Sequence, residues 1–254
     1  MIRIVLSGCN GRMGQALTVM INDQQDMEII AGMDIAPDAQ NSYPVYDSFT
    51  SIIEAADIVI DFSHISLTPA LLGFCLAKKL PLVLCTTGID GELEDKVNQA
   101  AKEIPLFRSF NMSLGISLLQ SLVRQAAGVL GDVYDIEIIE KHHNTKVDAP
   151  SGTALMIADA AASALSFSPR FTYDRTKEHR QRDHKEIGIH AIRGGSIVGE
   201  HEVMFIGPNE SITISHSARS RDLFANGAIK AASFLTQATS PGIYTMDDLV
   251  RSLT

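Results

Sequence analysis

The first half of the chain alternates short apolar runs with stretches of helical spacing, and no other feature limits its fold as strongly. The runs are Ile2 to Leu6, Met27 to Met33, Asp57 to Asp61, Pro81 to Cys85 and Ile104 to Ser109. Helical spacing covers Arg12 to Ile21, Leu67 to Lys78 and Glu92 to Lys102. Strands alternating with helices build a parallel sheet covered by helices on both faces. Such sheets bind ligands at the carboxyl ends of their strands.

The rhythm changes near Asn111. "MSLGISLLQSLVRQAAGVLG" reads as one long helix. Strands then dominate: Tyr134 to Glu140, Ile187 to Arg193, Ile197 to Ile206 and Ser211 to Ser217. "RGGS" and "GPNE" read as turns between neighbouring strands, which makes this an antiparallel region. The stretch from 167 to 186, "FSPRFTYDRTKEHRQRDHKE", lacks apolar periodicity and reads as a long exposed loop. Phe224 to Thr236 is helical again, and a capped helix starts near Thr245. The expected fold is α/β: a parallel-sheet domain from 1–113 and 221–254, and an α+β domain from 114–220. The chain crosses between them near Asn111 to Ser113 and near Ser220 to Leu223.

The 254 residues are 45% hydrophobic and 20% charged, an ordinary globular make-up. A net charge of -9 gives no general attraction to nucleic acid or anionic membranes. An anionic ligand must then be caught by a local basic group. No apolar run is long enough for a bilayer, and the N-terminus reads as a strand without a secretory signal. A cytoplasmic protein is expected. Cys9, Cys75 and Cys85 are odd in number and not spaced for a metal, so reduced thiols are expected.

Gly8, Gly11 and Gly14 follow the first strand and open a helix. Missing side chains let a pyrophosphate approach the backbone, and the helix start offers free N–H groups and partial positive charge. Glycines alone can also serve packing. Asp34 favours the nucleotide: it ends the second strand about twenty residues beyond Gly14, where an acid binds the adenosine ribose hydroxyls. "TTG", Thr86 to Gly88, follows another strand at the same edge and is expected to line a nicotinamide pocket.

Chemistry concentrates in "HHNTKVDAPSGTA", residues 142–154. Lys146 offers a compact positive charge for a carboxylate. Ser151, Gly152 and Thr153 precede a helix and form an anion site. His142 and His143 can move protons near neutral pH. Adjacent strand residues point to opposite faces, so the two histidines do not readily share a metal. Asp148 is a salt-bridge partner or a turn former. Any one of these residues could belong to a solvated loop; the whole cluster after a buried strand reads as an active site.

"GCNGRMG", "EKHHNTKVDAPSGTA" and "SRDLFANGA" together resemble the dihydrodipicolinate reductase family, over nearly the whole chain. The family's E-x-H-H-x-x-K-x-D-x-P-S-G-T-A signature is matched from Glu140 to Ala154. The resemblance implies an NAD(P)H-dependent oxidoreductase of lysine and diaminopimelate biosynthesis. Its fold would be a Rossmann domain with an α+β domain that forms a homotetramer through the strands from Ile187 to Ser217. It implies His142 as proton donor and acceptor, and Lys146 as the second catalytic donor. His143, Ser151, Gly152 and Thr153 would hold a dicarboxylate substrate. Gly8, Cys9, Asn10, Gly11, Arg12, Met13, Gly14, Asp34, Cys85, Thr86, Thr87, Ser109, Phe110, Asn111 and Met112 would line the cofactor. Arg221 matches a basic residue near the hinge. The family often has Gly at Cys85 and Ala at Ser109, positions that act through backbone. Relatives that use NADPH well follow the acid with a basic residue. Here Ile35, Ala36 and Pro37 follow Asp34, so NADH is expected to be preferred, with NADPH usable through Arg12. Two rivals are another two-domain dehydrogenase, which wants a catalytic Cys or a different Lys arrangement, and a non-enzymatic NAD(H) sensor, which has no use for His142 and Lys146.

Overall fold

The structure is a computed structural model that describes residues 1–36 and 41–253. In chain order, the first part runs β1 (Ile2–Ser7), α1 (Arg12–Asn22), β2 (Met27–Met33), β3 (Val45–Tyr46), β4 (Ile58–Asp61), α2 (Thr68–Lys78), β5 (Leu82–Leu84), α3 (Gly91–Ala100) and β6 (Pro105–Arg108). The middle part runs α4 (Leu114–Leu130), β7 (Asp135–His142), α5 (Gly152–Ala162), β8 (Arg170–Thr172), β9 (Glu186–Arg193), β10 (Gly199–Ile206) and β11 (Ser211–Ala218). The chain closes with α6 (Asp222–Leu235), β12 (Gly242–Tyr244) and α7 (Met246–Ser252). It divides into two compact units, Met1–Ser113 with Asp222–Thr254, and Leu114–Arg221. Arg221, assigned to the first domain from sequence, falls with the second unit.

The first unit is a seven-stranded sheet in the order β12-β6-β5-β4-β1-β2-β3, with every pairing parallel. Side chains alternate across it as the pleat requires. Val5, Val59, Leu82, Leu84 and Leu106 pack with Leu71, Leu72, Cys75 and Val97 of α2 and α3. On β6 the next residue, Phe107, meets Phe234 of α6 edge-on, with ring centroids 6.3 Å apart. β1 and β4 are neighbours, and the strand order reverses between them. The short β3 and β12 extend the two edges and were not visible as apolar runs.

The second unit is a five-stranded sheet in the order β11-β10-β7-β9-β8. β7 pairs antiparallel with β10 but parallel with β9. This corrects the purely antiparallel reading: β7 lies between β9 and β10, so "RGGS" belongs to a link that passes over the end of β7. Turn residues report a change of direction, not which strand is next. Ile136, Ile138, Val203 and Phe205 pack against Ile116, Leu119 and Val123 of α4 and Ile157 and Ala161 of α5. The stretch from 167 to 186 is also more than an exposed loop. It contains β8, and Arg170, Arg175 and Arg180 converge on the buried Glu186 carboxylate. Hydrogen bonding from Arg180, and then from Arg170, overcomes burial and holds that carboxyl down to about 2. Charge pairing, rather than apolar periodicity, orders this segment.

Candidate active site

In the first unit, β1 delivers the chain to Gly8, whose φ of +78° only glycine adopts easily. A Cβ at Gly14 would lie 2.2 Å from the Gly8 carbonyl oxygen, so the turn and the first turn of α1 touch backbone to backbone. Gly11 begins α1 without a side-chain cap, which leaves first-turn N–H groups for a ligand. Asp34 follows β2. Its carboxylate accepts the Asn10 N–H at 3.0 Å and the Ala36 N–H at 3.1 Å. Asp34 therefore buttresses the glycine turn, and each oxygen keeps a lone pair for a further donor. Arg12, the first residue of α1, is exposed, with no ion pair among the described residues. Cys9 is buried beneath the turn, and burial, then the Asp34 charge, push its thiol up to about 11.

The loops after β4, β5 and β6 meet at one cavity of about 330 Å³. Met13, Cys85, Thr86, Thr87, Ser109, Phe110, Asn111 and Met112, all singled out from sequence, line it together. Phe62, Ser63 and Phe224 line it too and were missed. The signal for the first two was present, because "DFS" leaves a strand at the same sheet edge as "TTG". A larger groove of about 810 Å³, between α2 and residues 47–53, holds none of the predicted site residues.

In the second unit, β7 runs further than the sequence indicated and ends on His142, which is 8% exposed. His142 and Glu140 share a face of the strand, two residues apart. Glu140 is fully buried and lies 2.6 Å from His142 Nδ1. Its other contacts are Arg193 Nη1 at 2.8 Å, Arg193 Nη2 at 2.7 Å and the Ser151 N–H at 2.9 Å. Burial works to raise the Glu140 carboxyl, but the bonds from Arg193, His142 and Ser151 prevail and hold it below the usual carboxylate range. A carboxylate only accepts, so Nδ1 of His142 carries the proton and Nε2 is the nitrogen left for chemistry.

Lys146 and Asp148 lie in the loop beyond. Lys146 Nζ meets Asp148 Oδ1 at 2.8 Å, which settles Asp148 as a salt-bridge partner. The Asp148 carboxyl is held below its ordinary value by the Lys146 bond first, against burial, and also by the Gly152 N–H at the start of α5. A carboxylate thus already rests where a lysine and a helix N-terminus point. Ser151 caps α5, its Oγ accepting the Ala154 N–H at 3.1 Å. His143, just beyond the end of β7, has Nδ1 2.7 Å from Thr145 Oγ1.

Arg193 and His201 escaped the sequence reading. Arg193 stands opposite His142 in the parallel β7–β9 register, and His201 stands opposite Glu140 on β10. Only the strand order brings them in, and a β9–β10 hairpin would have placed them elsewhere. His201 Nε2 lies 3.3 Å from Ser151 Oγ, and its ring meets His142 edge-on at 5.3 Å. Burial, with the neighbouring His142, lowers it to about 4, so it is neutral at physiological pH. Among the described residues there is no His, Cys, Asp and Glu group of three or more that could hold a metal ion, and no helix long and apolar enough to cross a membrane.

Residues 2–112 match the family model for the dihydrodipicolinate reductase N-terminus, and residues 115–250 match its C-terminus. The chain belongs to the dihydrodipicolinate reductase family. It is 51% identical to the 4-hydroxy-tetrahydrodipicolinate reductase of Caldanaerobacter subterraneus subsp. tengcongensis, covering 99% of both chains. It is 46% identical to that of Clostridium tetani, over 99% of this chain and 98% of the relative. In fold it is similar to a dipicolinate-bound dihydrodipicolinate reductase from Paenisporosarcina sp. TG-14, with a TM-score of 0.82 at 23% identity, covering 96% and 97% of the two chains. Members of this family are oxidoreductases with a nucleotide-binding N-terminal domain, which indicates use of NAD(P)H. The first unit fits such a group: α1 starts uncapped behind a tight glycine turn, and a carboxylate follows β2.

Proposed function

We propose that the chain reduces 4-hydroxy-tetrahydrodipicolinate to tetrahydrodipicolinate, with loss of water, in lysine and diaminopimelate biosynthesis. The observation that carries this reading is the Glu140–His142 pair beside a lysine and a helix N-terminus already occupied by a carboxylate. Lys146 and the Ser151–Gly152–Thr153 turn hold the substrate's carboxylates, displacing Asp148, and His143 assists. His142 moves a proton at Nε2, oriented by Glu140 and backed by Arg193. NAD(P)H, when bound, would supply the hydride that reduces the substrate ring. Gly8 to Gly14 and Asp34 hold the dinucleotide, and the cavity formed by Cys85 to Thr87 and Ser109 to Met112 takes its nicotinamide end. The rival sensor reading has no use for so elaborate a histidine environment.

NADH is the preferred coenzyme in this reading. A 2′-phosphate would place negative charge against the Asp34 carboxylate, and neither Ile35 nor Ala36 offsets it; Pro37 lies outside the described residues. Arg12, exposed at the start of α1, keeps NADPH usable. Steady-state kinetics with both coenzymes, on the wild type and on Ile35→Arg, test this. The wild type favours NADH, and the new cation shifts the preference toward NADPH. A wild type that favours NADPH by about tenfold, about 1.4 kcal/mol at the transition state, refutes it.

The working form is a cytoplasmic homotetramer built through the second unit. Ile139, Ile192, Met204 and Ile206 lie on the sheet face opposite the one that α4 and α5 cover. Light scattering at working concentration should read four times the mass of one chain. A monomer would remove the assembly from the account.

A further inference from the structure

Asp61 ends β4 in register with Ser7 at the end of β1. These are the two strands between which the sheet order reverses, the place where open parallel sheets bind their ligands. The carboxyl is fully buried, and no Lys, Arg or His pairs with it among the described residues. Ser63 approaches Oδ1 with its N–H at 3.2 Å and its hydroxyl at 2.6 Å, and Thr86 Oγ1 lies 2.6 Å from Oδ2. Thr86 Oγ1 also lies 2.9 Å from the Ser63 carbonyl oxygen. That carbonyl can only accept, and a hydroxyl has one proton. If Thr86 donates to the carbonyl, it must accept from Asp61. A proton on Oδ2 gives each of these short contacts a hydrogen, and the Ser7 hydroxyl also faces the carboxyl. Burial without a countercharge acts in the same direction, raising the carboxyl against the opposing hydroxyl bonds.

Ser63 and Thr86 both line the cavity of about 330 Å³, so Asp61 stands one hydrogen bond behind its wall. Among the described residues, the one titratable side chain in the lining is Cys85, and burial pushes that thiol well above its ordinary value. Cys75, the other thiol that feels Asp61, is raised likewise. Arg108, over the Phe110 ring, is already paired with Glu94.

Resting on the proposal that this cavity takes the nicotinamide, we infer that Asp61 is a positioning residue that senses the ring's charge: a neutral acid while the ring is reduced, and a carboxylate once it is oxidised. The reduced ring is neutral and the oxidised ring is cationic. On oxidation the Asp61 O–H bond breaks, the proton passes to solvent, and Thr86 turns to donate to the new carboxylate. The anion then faces the cation across a poorly screened interior, where opposite charges attract far more strongly than in water. The device favours the direction in which coenzyme loses hydride.

Calorimetric titration of each coenzyme at neutral pH, in two buffers of different ionisation enthalpy, counts the protons exchanged on binding. The wild type releases protons with NAD⁺ and none with NADH. In Asp61→Asn the amide supplies the donor and acceptor of the neutral acid, so the fold and NADH affinity are retained. This variant loses the proton release and binds NAD⁺ on the order of tenfold more weakly relative to NADH. Equal proton counts for the two coenzymes in the wild type, or release that persists in Asp61→Asn, would overturn the inference and leave the cavity's assignment standing. Failure of both coenzymes to bind would overturn the two together. The wild-type comparison decides even where the variant does not fold.

Discussion

Glu140→Gln lowers kcat by about 10²- to 10⁴-fold, the range that positioned acid–base catalysis contributes, while NADH binds as before. In the wild type the carboxylate accepts the Nδ1–H of His142 at 2.6 Å and leaves Nε2 free to act. A glutamine can present its amide N–H to Nδ1 instead, which moves the ring proton to Nε2 and reverses the nitrogen's role. Arg193 keeps a carbonyl of Asp148 to donate to, at 2.6 Å, so the cluster does not collapse. Coenzyme binding belongs to the other unit and reports on the fold. Measured kcat against pH should lose the wild-type profile along with its magnitude, whereas His142→Gln should be equally slow and gain nothing from the second change. Normal turnover by Glu140→Gln would remove Glu140 from the mechanism.

Lys146→Ala likewise loses most activity and keeps its coenzyme affinity. Its effect on stability is small. The Lys146–Asp148 pair is half-open to solvent on the Asp148 side, and exposed ion pairs are worth about 0–1 kcal/mol. A charge-assisted contact to a substrate carboxylate is worth about 1.5–3 kcal/mol, and its effect on the transition state can be larger. The two roles therefore separate by size. A variant that folds, binds NADH and turns over more than tenfold slower with a raised KM has lost a substrate contact. One that turns over normally shows Lys146 to be a loop stabiliser.

What could be read before the structure was what local pattern encodes. The glycine turn, the acid ending β2 and the loops after β5 and β6 each carry their own composition, and the fold brings Met13, Cys85 to Thr87 and Ser109 to Met112 to one cavity. His142, Lys146 and Ser151 were legible because they crowd one short stretch. Arg193 and His201 were not, because their place depends on β7 being inserted between β9 and β10, a choice made by long-range pairing. The segment around Glu186 was misread for a different reason. Arginines gathered on one buried carboxylate have no periodicity, so they look like a solvated loop in sequence. Asp61 was seen only as the end of a strand. Its lack of a cation is a property of the folded interior.

The most direct test of the central claim is to mix the wild-type chain with freshly made 4-hydroxy-tetrahydrodipicolinate and NADH, and to follow coenzyme oxidation and product together. The expected result is one NADH consumed for each tetrahydrodipicolinate formed, with NADPH slower and no oxidation without substrate. If both coenzymes bind and neither is oxidised by this substrate, the chain is not the reductase described here.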